Sequence, residues 1–228
     1  MSNQVWRGGV RRWLRGDRGQ KNLDRSGFRW YVASVNLVKR AAVSLSVLLA
    51  VLWYTAPAVR SESIDERLYR TIHEDWQSPF MDDFMKGVST LGSAEVGLAV
   101  TAALQAFGNE SVRNTGKLSF VSLVGASAVT SVMKCAVNRD RPDSEPHSRC
   151  DSSFPSGHAT GSFAIASVVG AKHSSLRIPV YLLASTIAVS RVYLGRHYPS
   201  DVLAGAAIGL CSGWLVIKYE QVVLDFHI

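Results

Sequence analysis

Charge is missing where a soluble chain would carry it. From Ala41 to Val59 the sequence runs nineteen mostly apolar residues without a Lys, Arg, Asp or Glu, about the length a helix needs to cross a bilayer core. Acids are scarce before that run: residues 1–40 hold ten Lys/Arg but only Asp17 and Asp24. The leader is too long for a cleaved secretory signal and no clear cleavage site follows it, so 41–59 reads as a retained membrane helix. Cysteine is also sparse, with three residues and no metal-ligand spacing among them. No repeat, low-complexity tract or linker divides the 228 residues, which suit one sizeable domain.

What is present is a series of further apolar runs, at 91–108, 117–137, 158–172, 177–194 and 201–218. Some are short for a bilayer: "ATGSFAIASVVGA" has thirteen residues, a length that also suits a buried helix. The expected fold class is all-α: a polytopic membrane helical bundle of about six transmembrane helices, with short amphipathic helices on the extracytoplasmic side. An even number of spans puts both termini on one side, and the basic leader makes that side cytoplasmic. The connections "GNESVRNTGK" and "AKHSSLR" carry two Lys/Arg each, whereas segment 60–90 has four Lys/Arg against seven acids. The expected organisation is a basic cytoplasmic segment (1–40), a membrane domain (41–219) and a cytoplasmic tail (220–228). The net charge of +7 argues little for nucleic acid, because the excess sits in the leader beside a span. "VWRGGVRRWLRG" suits either a helix lying on an anionic leaflet or a disordered basic tail.

In segment 60–90, Ile64, Leu68 and Ile72 recur at helical spacing, and Ser78-Pro79 reads as an N-cap followed by the first helical position. His73 and its acidic neighbours read as a solvated face. Cys135 and Cys150 would lie near one membrane face, either bridged or as two free thiols, and Cys211 reads as a packing residue. Gly205, Gly209 and Gly213 fall four apart, which suits helix packing within the bundle or a dimer seam. Gly157 and Gly161 repeat the spacing.

Three polar clusters interrupt the apolar runs. They are Lys134 with Arg141-Pro142 in "KCAVNRDRP", "PSGH" from Pro155 to His158, and "SRVYLGRHYPSD" from Ser190 to Asp201. If the spans alternate in direction, all three meet at one face. Lys134, Arg141 and Arg191 are cations at membrane depth, costly unless paired, and they imply an anionic ligand. Arg forks match the oxygens of phosphate. A helix start at "PSGH" adds free backbone N–H groups, Ser156 would cap or donate, and Gly157 would let the backbone approach closely. His197 and Asp201, four apart, place a carboxylate within one turn of an imidazole and would make its far nitrogen a better nucleophile. His158, on another helix, would serve as a separate acid or base.

The arrangement K-x6-R-P, P-S-G-H, S-R-x5-H-x3-D resembles the three-part signature of the type 2 phosphatidic acid phosphatase family, with no departure at its eleven fixed positions. The resemblance covers 134–201 and implies a six-span core over about 41–218. It implies that His197 attacks phosphorus to form a phosphohistidine, that Asp201 orients it, and that His158 protonates the leaving oxygen and then activates water. Lys134, Arg141, Arg191, Ser156 and Gly157 would hold the non-bridging oxygens, and no metal or other cofactor is expected because these cations neutralise the charge. The implied substrate is a membrane lipid phosphate such as undecaprenyl pyrophosphate, phosphatidic acid or phosphatidylglycerol phosphate, met at the outer face of a bacterial cytoplasmic membrane. Transfer to an acceptor other than water, vanadate-dependent haloperoxidation, and a phosphate-binding scaffold are the competing readings. His73, His147, His173, His227, Arg139 and Arg196 match no signature position, though Arg139 and Arg196 stand near enough to reach a headgroup.

Overall fold

The computed structural model describes residues 63–143 and 150–225. The leader, the run 41–59, His147 and His227 lie outside the described residues. The chain divides into two units, Met1–Arg60 and Ser61–Ile228, and the described residues lie in the second.

Helix α1 (Ile64–Arg70) opens with a capping box: Ser63 Oγ accepts from Glu66 N at 3.2 Å while Glu66 Oε2 accepts from Ser63 N at 3.1 Å, which satisfies two of the free N–H groups at the helix start. A π-helical turn, Thr71–Asp75, continues it. Its inward face differs from the sequence reading. Ile64 and Leu68 are exposed, and Tyr69 and Ile72 pack against the buried cluster of Ala159, Ala188, Val192 and Val202. Asp65, Tyr69 and Ile72 share a face at i, i+4 and i+7, and that face, not the edge of Ile64 and Leu68, is the one turned inward. His73 also departs from the solvated face expected of it: its ring stacks on Tyr69 and its Nδ1 lies 2.7 Å from the Tyr193 carbonyl.

Helix α2 (Pro79–Leu91) starts as read, with Ser78 as N-cap and Pro79 at the first position. After a break at Gly92 and Ser93, helix α3 (Ala94–Phe107) leaves at 55°. Helix α4 (Glu110–Val137) follows, capped by Asn109 and ended by Asn138 in the left-handed conformation. Helix α5 (Gly157–Lys172), a 3-10 turn at Ser174–Leu176, α6 (Arg177–Tyr193), α7 (Pro199–Lys218) and α8 (Glu220–Asp225) complete the described chain. The sharp α6–α7 connection uses Gly195 at φ +75, where a side chain would also meet His73 Cε1 at 3.1 Å.

Among the described residues the secondary structure is helical, and three segments are long and apolar enough to cross a membrane: Glu110–Val137, Ser174–Tyr193 and Pro199–Lys218. The bent pair α2–α3 makes a fourth if it counts as one span. The run expected at 91–108 thus falls short by itself, because Gly92 and Ser93 break it from α2. The outward faces of the long helices carry exposed Val132, Ile178, Leu182, Leu203 and Trp214, apolar surface that water would penalise and lipid would not.

The sixteen-residue α5 lies at the centre, with Ala159, Thr160, Gly161, Ala164, Ala166, Val168 and Gly170 buried. Helix α7 packs onto it along Gly205, Gly209 and Gly213. A Cβ at Gly205 would stand 2.5 Å from Ser156 O, and one at Gly209 would stand 2.7 Å from Ala164 N. The glycine row is therefore a seam within this bundle, and it lets two backbones meet without side chains between them. Buried hydroxyls stitch the same region: Thr130 Oγ1 donates to Thr160 Oγ1 at 3.1 Å, and Ser212 Oγ to Ser122 O at 2.8 Å. Cys211, expected as a packing residue, is exposed on α7, because the glycines take the inward positions and leave it on the outer side.

Candidate active site

Packing of α7 on α5 brings their first turns together. Ser156 N donates to the Asp201 carbonyl at 3.0 Å, so the start of one helix is tied to the start of the other. His158 projects from the first turn of α5, and His197 sits two residues before α7. The end of α4 supplies Lys134 and the end of α6 supplies Arg191. Both cations stand near enough to act electrostatically on both histidines, and His197 acts in the same way on His158. The structure thus gathers Lys134, His158, Arg191, His197 and Asp201 at one end of the bundle.

Three polar atoms at this meeting point are buried without a partner among the described residues: Ser156 Oγ, Arg191 Nε and His197 Nδ1. Orphaned buried donors are rare in folded proteins and call for a ligand or water. Ser156 is the N-cap of α5, yet its side chain makes no capping bond, so the capping use expected for it is not made. A Cβ on Gly157 would meet nothing within 4 Å, so open space stands over the start of α5. Backbone N–H groups there face that space with the positive end of the helix dipole.

Arg191 is held by one end, its Nη1 donating to Ser89 Oγ of α2 at 2.7 Å. Gly92, in the α2–α3 break, lies against His158: a Cβ there would approach His158 Cδ2 at 3.2 Å. Lys134 Nζ donates to the Ser152 carbonyl, and Arg141 forms an ion pair with the exposed Asp151. A cavity of roughly 600 Å³ opens beside Lys134 and His158 and runs between α3, α4, α5 and α6 past Leu104, Leu123 and Val169. Its walls are mostly apolar.

The His197–Asp201 pair is looser than a hydrogen bond, with Nδ1 at 3.7 Å from Asp201 Oδ2. That oxygen accepts instead from Tyr198 N at 2.9 Å. Burial holds the His197 imidazole below its ordinary value of 6.5, while the Asp201 carboxylate opposes the shift; a neutral ring at neutral pH is the form with a free lone pair. Cys135, at the end of α4, is bridged to Cys150, so the pairing left open by spacing is made. The bridge fastens the loop bearing Arg141 and Asp151 to α4.

Over residues 116–224 the chain matches the PAP2 superfamily. It is 32% identical over 165 residues to phosphatidylglycerophosphatase B of Bacillus subtilis, covering 66% of this chain and 81% of that protein. The chain belongs to the PAP2 superfamily. It is also 34% identical over 136 residues to decaprenylphosphoryl-5-phosphoribose phosphatase of Mycobacterium tuberculosis, covering 58% and 76% of the two chains. Among solved structures it resembles LpxE of Aquifex aeolicus, with TM-score 0.61 and 28% identity over 72% of this chain and 100% of that one. It likewise resembles a transmembrane PAP2 type phosphatidylglycerolphosphate phosphatase of Bacillus subtilis, with TM-score 0.66 and 26% identity over 81% and 98%. The protein is an integral membrane PAP2 enzyme, a phosphoric ester hydrolase.

Within the PAP2 signature the structure gathers the expected residues and adds two that spacing did not assign. Arg139 donates to Asp201 Oδ1 at 2.7 Å and to Asp65 Oδ2 at 2.8 Å. Their separations of 62 and 74 residues left no local pattern that would reveal them. Arg196, also unassigned, pairs with Asp143 at 2.7 Å.

Proposed function

We propose that this PAP2 enzyme hydrolyses a phosphate monoester or pyrophosphate of a membrane lipid through a phosphohistidine on His197. The observation that carries the reading is the orphaned pair of Ser156 Oγ and Arg191 Nε beside His158, Lys134 and His197. A tetrahedral phosphoryl group satisfies such donors and balances the cations. Lys134, Arg141, Arg191, Ser156 and the Gly157 backbone hold its non-bridging oxygens. Arg141 reaches it by exchanging the exposed Asp151 for phosphate.

Nδ1 of His197 faces Asp201, so Nε2 is the attacking nitrogen. In the first step the N–P bond forms, the bond from phosphorus to the lipid oxygen breaks, and His158 gives its proton to that oxygen. In the second, His158 takes a proton from water as the water oxygen attacks phosphorus. The N–P bond then breaks and releases inorganic phosphate. Positive side chains supply the charge neutralisation for both steps.

The substrate is a lipid carrying terminal phosphate, with its chain beside the apolar cavity between α3 and α6. Relatives that act on phosphatidylglycerol phosphate and on prenyl-linked phosphates make those two classes the first to assay. The site faces the outside of the cytoplasmic membrane and both termini face the cytoplasm, with six spans in all and 41–219 as one membrane domain. The Cys135–Cys150 bridge beside the site favours that side, where disulfides persist. Phosphate release from a panel of lipid monophosphates and pyrophosphates tests the reading; a stable lack of turnover on the whole panel would overturn it.

A further inference from the structure

The Asp201 side chain has 0% exposure, and a carboxylate so placed needs partners for both oxygens. His197 Nδ1, at 3.7 Å, is not close enough to be one. Tyr198 N holds Oδ2 at 2.9 Å, and Arg139 Nη1 holds Oδ1 at 2.7 Å. A carboxylate bound at one oxygen can still rotate about its last bond. Bound at both, it keeps a fixed plane with Oδ2 toward the imidazole.

Arg139 is itself fixed on three sides. Its Nη2 donates to Asp65 Oδ2 at 2.8 Å, its Nη1 also reaches Ser200 Oγ at 2.7 Å, and its guanidinium lies 4.1 Å above the Tyr198 ring centroid. Asp65 accepts in addition from Ser200 N at 2.8 Å and Ser200 Oγ at 2.6 Å, which caps the first turn of α7. The terminal nitrogens of Arg139 are thereby committed to protein oxygens, which argues against the headgroup contact that its sequence position allowed. Asp65 comes from α1, before the first residue of the family match at 116.

We infer that Asp65 and Arg139 are positioning residues: the pair clamps Asp201 so that its free edge stays on His197 and the imidazole is held for attack. The inference rests on His197 being the nucleophile. It makes α1 part of the catalytic apparatus without any contact to substrate. Loss of Arg139 leaves a buried carboxylate with one oxygen unpaired, free to turn away or to take up a proton. The phosphate holders Lys134 and Arg191 keep their own contacts in either case, so chemistry suffers and binding does not.

The test uses the full-length chain in lipid micelles, with kcat, KM and inhibition by vanadate measured for R139Q, R139K, D65N and the double variant D65N/R139Q. R139Q is expected to lower kcat on the order of ten- to a hundredfold, as loss of a supporting partner does. KM and vanadate inhibition should stay within about threefold, since uniform binding is untouched. R139K should recover part of kcat, because an ammonium restores the charge but not the two-sided fork. D65N should cost less, and the double variant should be no slower than R139Q, because both act through one path. Unchanged kcat in R139Q, a loss of vanadate inhibition matching the loss of kcat, or losses that multiply in the double variant would each overturn the clamp. If R139Q does not fold, the R139K and D65N comparison decides, and full activity in both overturns it. H197A separates the two levels: turnover in H197A removes the nucleophile, whereas a dead H197A with an undiminished R139Q removes only the clamp.

Discussion

Placing a methyl on Gly209 should damage both the fold and the reaction. The Cβ of Gly209→Ala would stand 2.7 Å from Ala164 N and 2.9 Å from Phe163 Cβ. Ordinary contact between carbons is about 3.5–4.0 Å, so α7 must retreat from α5 by about 1 Å. Neither obstacle is a flexible side-chain end: one is backbone and the other is a Cβ. Overpacking of this kind costs about 1–3 kcal/mol. The catalytic cost follows from what the helices carry, since α5 bears His158 and α7 begins beside His197 and bears Asp201. A shift of about 1 Å between reacting groups costs on the order of a hundredfold in rate. Thermal unfolding in detergent and kcat on a lipid phosphate should both fall. Gly125→Ala is the control, because a Cβ there meets only Ser212 Oγ at 3.6 Å. A Gly209→Ala protein with the control's melting temperature and kcat would refute the seam as the spacer between His158 and His197.

Other outcomes follow from the same geometry. Burial keeps the imidazole of His197 below 6.5, so kcat/KM should hold down through that pH and fall only at lower pH as the ring gains a proton; a fall beginning well above 6.5 would contradict the desolvated nucleophile. Thiol labelling of the unfolded chain without reductant should find one reactive cysteine, Cys211, and three after reduction; three without reductant would contradict the bridge. Arg191→Ala leaves Ser89 and the phosphate without the guanidinium, and should weaken vanadate inhibition on the order of tenfold or more. Under the proposed mechanism, in which Lys134, Arg141 and Arg191 carry the neutralising charge, turnover should survive EDTA; abolition by chelation would contradict it.

The meeting of His158 with His197 and Asp201 was legible because it is written in short spacings: four residues from His197 to Asp201, and a helix start at "PSGH". The Ser78-Pro79 start of α2 was legible for the same reason. Phase and distance were not. The stripe Ile64, Leu68 and Ile72 promised a buried face, but the edge of Tyr69 and Ile72 turns inward and leaves the other two exposed. The sulfurs of Cys135 and Cys150 pair only because the loop after α4 folds back, which spacing does not specify. Arg139 lay in plain view between two motif positions, yet its partners come from α1 and α7. The bend at Gly92 was hidden in an apolar run, and its closeness to His158 emerges only once α5 is in place.

The central claim is that His197 carries the phosphoryl group. Substrate labelled in its terminal phosphate should be mixed with the wild-type chain and with H197A, quenched within the first turnover, and the protein-bound label then exposed to acid and to base. An acid-labile, base-stable label is expected on the wild-type chain and none on H197A, with phosphate release reduced on the order of a thousandfold or more. Label or turnover persisting in H197A would contradict it.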